Sequence, residues 1–134
     1  MSGSDWISVL RNGDVLRGLF DTVPALESLD LFSLLVDERE HGLTLGFESP
    51  GLPVTAPRSW VEQGLNTVEF HLVFSGLRWL EVTGWSYTGM TGYRFEPEAD
   101  GGLRLLMTGP DSLVRLSADS CRVEGVRAHR AGGL

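Results

Sequence analysis

The sequence predicts a mostly β protein: about seven or eight antiparallel strands in a two-layer sandwich or partly open barrel, behind one or two short N-terminal helices. Three observations predict it. Beyond Pro24, apolar and polar residues alternate with the period of a strand in run after run. Short turn signals such as "SG", "GMTG" and "TGPDS" separate the runs, and short connections imply antiparallel neighbours. This many strands tend to curl into two packed layers or a partly open barrel. With 134 residues and 42% apolar content, residues 1–134 fit a single domain able to bury a core.

The helical start rests on "NGDVLRGLF", where Val15, Leu16, Leu19 and Phe20 recur at one-turn spacing. Asn12 or Asp14 is placed to cap it, and Pro24 ends any continuation. Trp6, Val9 and Leu10 suggest a preceding helical turn with Ser4 as cap. Leu29 to Glu38, "LDLFSLLVDE", is apolar on both faces and reads as a central strand. "LTLGFE" follows a charged loop, with Leu43, Leu45 and Phe47 on one face, completing a hairpin. Residues 49–65 then break the pattern. Pro50, Pro53 and Pro57 cannot donate to a ladder. Within this link "SWVEQG" reads as one helical turn, with Ser59 and Glu62 in capping-box positions and Trp60 either plugging the core or meeting a ligand. "YRFEPEAD", "GGLRLLMTG", "SLVRLSAD" and "SCRVEGVRAHR" supply the remaining strands. In the last, Cys121 and Val123 share one phase while Val126 and Ala128 take the other, which places a bulge at Gly125.

The stretch "FHLVFSGLRWLEVTGWS" reads as a hairpin turning at Ser75-Gly76. A two-residue loop would set Phe70 opposite Glu81, whereas a three-residue loop removes that clash. Either Phe74-Ser75-Gly76 or the loop starting at Ser75 serves, and the second pairs His71 with Glu81. Both give the same faces. Val68, Phe70, Leu72, Leu80 and Val82 point inward, while Trp79, Trp85, His71, Glu69 and Glu81 point outward. Exposed tryptophans ringed by acids mark a recognition surface, so these five residues and Trp60 are the candidate partner-binding set. The competing structural reading lays the N-terminal helix over the tryptophans.

Composition narrows the function. The net charge is −7. Residues 1–67 carry ten acids against four arginines, net −6; residues 68–134 carry eight against seven, net −1. That balance argues against nucleic acid as partner; its ordinary meaning is solubility, and it also suits attraction of a basic protein. No segment approaches the roughly 18 apolar residues of a membrane span, and the N-terminus lacks the basic region of a signal peptide, so a cytoplasmic location is expected and no membrane partner. The single cysteine, Cys121, excludes an intramolecular disulfide and a cysteine-based zinc cluster. His41, His71 and His129 show no metal spacing. "GWSYTG" departs from a nucleophile elbow because Thr88 stands where glycine is needed. No catalytic residue, metal or cofactor is expected, and an enzyme is not.

The order of "LRGLF", "PALESLDLFSLLVD", "GLTLGFE", a Pro-rich link and "W…GLNTVEFHLVFSGLRWLEVTGW" resembles the immunity protein 50 family of bacterial polymorphic toxin systems. The resemblance runs from about Trp6 to Arg130, anchored on Pro24, Trp60, Asn66 to Leu72, Gly76 and Gly84-Trp85. It implies a small, mostly β, cytoplasmic protein whose partner is a cognate protein toxin, bound and neutralised without catalysis. It assigns no toxin-binding residues and leaves the oligomeric state open. The alternatives are a small-ligand-binding β-domain with a pocket near Trp60 and Trp85, and a homo-oligomeric structural subunit that self-assembles through its tryptophan face.

Overall fold

The structure, a computed structural model, describes residues 6–84 and 90–130. Trp85, Ser86, Ser4 and the C-terminal "AGGL" lie outside the described residues.

Six strands form one antiparallel sheet: β1 (Asp30–Asp37), β2 (Gly42–Glu48), β3 (Thr67–Thr83), β4 (Gly92–Pro97), β5 (Leu103–Thr108) and β6 (Leu113–His129). Their order is β1-β2-β3-β6-β5-β4, so β1 and β4 are edges and the sheet is not closed. It curls nonetheless. Phe95 of β4 stacks on Phe74 of β3 with centroids 6.2 Å apart, and Tyr93 meets Phe47 of β2 edge-on at 5.7 Å. The mostly β class with short N-terminal helices is therefore as expected, with six strands rather than seven or eight.

The lower count comes from two fusions. "TVEFHLVF" and "LRWLEVT" are one 17-residue strand, β3, and "SLVRLSAD" and "SCRVEGVRAH" are one 17-residue strand, β6. The chain does not reverse at Ser75-Gly76, and His71 does not pair with Glu81. Gly76 does take positive φ, +67°, as a turn glycine would. It spends that freedom on redirecting a strand that keeps its partner: Ser75 stays opposite Ser120 and Leu77 opposite Ala118. β6 changes phase at the same level, from buried Val114, Leu116 and Ala118 to buried Cys121 and Val123. A second irregularity follows at Leu77/Trp79, where β3 carries one extra residue. The β3–β6 ribbon is thus a spine. Its first half, Thr67–Ser75 of β3, carries β2 and β1; β6 carries β5 and β4 beside the second half of β3.

The expected bulge at Gly125 is present: φ is +63° and the ladder shifts between Glu69 and His71 opposite it. β2 alternates as read, with Leu43, Leu45 and Phe47 wholly buried. β1 is an edge strand and not a central one; it exposes Phe32 (45%) and Leu35 (63%) on its outer face and Val36 (45%) on the face it shares with Leu43.

The N-terminal segment closes the core. Trp6, in a 3-10 turn over Trp6–Val9, stacks on Phe70 at 6.0 Å, and its indole N–H donates to the Pro24 carbonyl at 2.9 Å. Helix α1 (Asp14–Leu19) buries Leu16 and Leu19, while Val15 is exposed. Asn12 does not cap it. Its Nδ2 donates to the Val123 carbonyl at 2.9 Å and its Oδ1 accepts the Val123 N–H at 2.8 Å, so the side chain pairs with β6 as a strand would. Helix α2 (Arg58–Glu62) starts from Pro57 with no side-chain cap, so the Ser59–Glu62 capping box does not form.

Candidate functional site

The outer face of β3 is divided by the Gly76 bend, and four of the six predicted residues divide with it. Glu69 and His71 lie on the first half, Trp79 and Glu81 on the second. The ten positions from Glu69 to Trp79 correspond to roughly 30 Å of strand, so one small patch does not hold both pairs. Trp60 sits apart in α2, half-buried against the core, which matches the plugging role. Trp85 lies outside the described residues.

On the first half, the outer residues are enclosed. Glu69 is buried, 7% exposed, and accepts two bonds from the Arg127 guanidinium across the ladder: Nε to Oε2 at 3.2 Å and Nη2 to Oε1 at 3.3 Å. A buried carboxylate needs such charged donors. His71 is half-buried, meets the edge of Phe32 at 5.7 Å, and holds Nε2 3.9 Å from Glu69 Oε2. Phe32 in turn lies over Gly46, where a Cβ would strike its ring. Glu48 and His129 join Glu69 from the neighbouring strands: His129 Nε2 is 3.4 Å from Glu48 Oε1 and 3.8 Å from Glu69 Oε1. Sequence spacing gave no sign of this grouping, because positions 48, 69 and 129 meet only across ladders.

On the second half the outer face is open. Trp79 is 45% exposed. The N-terminal helical segment covers the inner side of the sheet, not this tryptophan. Register places Trp79 opposite Ser117, with Arg104 and Glu96 beyond it on β5 and β4. The next row is Glu81, Arg115, Leu106 and Arg94. Arg115 donates from Nε to Glu81 Oε1 at 3.0 Å and holds its guanidinium carbon 6.0 Å from the Trp79 ring centroid. Arg94 pairs with Glu96 at 2.9 Å. Together Trp79, Arg94, Arg104, Leu106 and Arg115 line a shallow concavity of about 180 Å³. Sequence reasoning missed the three arginines. The alternation of "LRLLMT" and "LVRLSAD" already sets Arg104 and Arg115 opposite the apolar phase, and only strand order puts them beside Trp79.

Arg78, at the extra residue, anchors this half. It donates to Asp119 from Nε at 3.0 Å and to Asp100 from Nη1 at 2.8 Å, and lies 3.5 Å from Glu98. The bonds to Asp119 and Asp100 raise the Arg78 pKa. The Asp100 carboxyl is held below its ordinary value of 3.8 by the Gly102 N–H first and by Arg78 second. Glu98 accepts the Ser117 hydroxyl, tying the β4–β5 turn to the spine. Elsewhere, burial pushes the Cys121 thiol well up, which keeps it from being a reactive thiolate. Tyr93 is pushed up to about 12 by burial and then by Glu27 and Asp30.

The sequence profile described as Immunity protein 50 matches residues 12–129. The chain belongs to the immunity protein 50 family. Its matched span begins at Asn12, the residue whose amide pairs with β6, and ends at His129, the last residue of β6, so the immunity protein 50 region takes in the whole sheet. No curated protein matches the chain.

Proposed function

We propose that this protein binds a cognate toxin in the cytoplasm and neutralises it by stoichiometric contact, with no bond made or broken. Membership of the immunity protein 50 family carries the reading. We place the toxin-facing surface on the second half of β3, around Trp79. An exposed tryptophan framed by arginines is the residue combination that dominates binding energy at protein interfaces. Arg94 and Arg115 are already held by neighbouring glutamates, so less side-chain freedom is lost on docking. The acidic first half of the sequence would steer a basic toxin toward the protein.

The test is co-expression with the protein encoded beside this gene. The expected result is that the neighbour arrests growth alone and that this chain restores it through a 1:1 complex. A harmless neighbour, or arrest that persists on co-expression without complex formation, overturns the proposal.

One observation favours self-assembly as a second reading. β1 is an edge strand with exposed Phe32, Leu35 and Val36, a template for pairing with another strand. Full antiparallel pairing with a second copy would set Asp30 against Asp37 at both ends, which opposes it. A monomer by light scattering at high concentration would remove this reading.

A further inference from the structure

We propose that Glu48, Glu69 and His129 form a binding site for a divalent transition-metal ion, zinc by its ligand chemistry, clasping β2, β3 and β6 together. Three observations carry it. First, Glu48 and Glu69 are directly opposite each other in the ladder between β2 and β3. Like charges in that position repel, and Glu69 is buried as well. Arg127 is the ladder partner of Glu69 on its other side and supplies one positive charge against two negative ones. Second, the His129 side chain is 31% exposed, but its Nε2 atom is turned away from solvent and has no hydrogen-bond partner, although it lies 3.4 and 3.8 Å from the two carboxylates. A buried ring nitrogen aimed at two anions and bonded to neither calls for something between them.

Third, the spacing fits. The three ligand atoms lie within 4.8 Å of one another. An ion about 2.1 Å from each of its tetrahedral ligands separates those ligands by about 3.4 Å. The two histidine–carboxylate distances are 3.4 and 3.8 Å, near that separation. One imidazole and two carboxylates are a donor set for zinc, and three protein ligands leave a fourth position open. His71 Nε2, 3.9 Å from Glu69 Oε2, flanks that group. Arg127 keeps its two bonds to Glu69 and acts as the outer partner that orients the carboxylate. Because the three ligands come from three adjacent strands, the ion would fasten the end of the spine where the first half of β3 begins.

The full chain, freed of metal by chelator, is titrated with Zn²⁺ by calorimetry and with Co²⁺ by absorption and NMR. The expected result is one equivalent bound, a melting temperature that rises with free zinc, tetrahedral cobalt bands, and paramagnetic shifts at the His129 ring. His129→Gln and Glu48→Gln should each lower affinity by more than about 100-fold, beyond the loss of an outer-shell partner. Glu124→Gln, which removes a neighbouring exposed carboxylate, should leave it unchanged. Absence of binding to the wild-type chain overturns the site. Binding that is unaffected by His129→Gln and Glu48→Gln also overturns it. If the variants fail to fold, the cobalt experiment on the wild-type chain still decides, since unshifted His129 resonances refute the assignment.

Discussion

The two halves of β3 belong to one strand, yet the outer face of the first is enclosed and that of the second is open. In the first half, Val68, Phe70, Leu72 and Phe74 are wholly buried, and the outer face is closed as well, by Arg127 on Glu69 and by Phe32 against His71. In the second half, Leu80 is only half-buried, Val82 is 39% exposed, and Trp79 faces solvent. The difference follows from neighbours. The first half lies between β2 and β6, with Trp6 stacked on the inside. The second half pairs only with β6 among the described strands. A strand with ladders on both sides is a structural member, whereas one with a free side can offer its face to a partner.

That contrast can be broken most sharply at Phe70, which stacks with both Trp6 and Phe47. Phe70→Ala should cost about 3–5 kcal/mol in urea unfolding, and Val82→Ala in the second half less than about 1 kcal/mol. Equal losses at the two positions would show that the halves are equally packed.

Next in size is Gly76, the point where the halves diverge. Its φ of +67° is strained for any residue with a Cβ, and a Cβ there would collide with the Asp119 carboxylate. Gly76→Ala should destabilise by about 2 kcal/mol, with some recovered when Asp119→Ala is added. A neutral Gly76→Ala would mean that the bend is not held by this glycine.

Trp79→Ala sharpens the functional side of the comparison. Unfolding free energy should change by less than about 1 kcal/mol while toxin affinity falls by about 2 kcal/mol, close to 30-fold. Calorimetry paired with urea unfolding separates the two. Loss of fold would return Trp79 to the core, and unchanged affinity would move the docking surface elsewhere.

The smallest effect concerns the anchor of the second half. The Asp100 carboxyl sits below its ordinary 3.8 in the folded protein. Its contribution to stability is therefore fully present above about pH 4 and is lost as pH falls through the lowered folded value. Urea midpoints measured from pH 6 down to pH 3 should drop slightly more for the wild type than for Asp100→Asn. Parallel curves would show that the Arg78–Asp100 contact contributes nothing to folding.

Much of the inner face was legible from one residue to the next. Leu43, Leu45 and Phe47 of β2, and Leu103, Leu105 and Met107 of β5, are buried as their alternation requires. The Gly125 bulge was legible because a phase change with glycine at the switch has few other meanings. The outer face was legible only as a set of residues pointing away from the core. Whether each meets water, a ring or an opposite charge depends on residues far away in sequence: Arg127 for Glu69, Phe32 for His71, Arg115 for Trp79.

The sequence by itself determined the class of fold, the family, the bulge at Gly125, and most of the side chains that face inward. These are local properties, set by side-chain period and by backbone sterics. Tertiary structure decided that Ser75-Gly76 bends a strand instead of reversing it, that β1 is an edge, that Glu69 is enclosed while Trp79 is open, and that Glu48, Glu69 and His129 meet. Each of these depends on strand order and register, which are fixed by contacts across the sheet and leave no period in the chain.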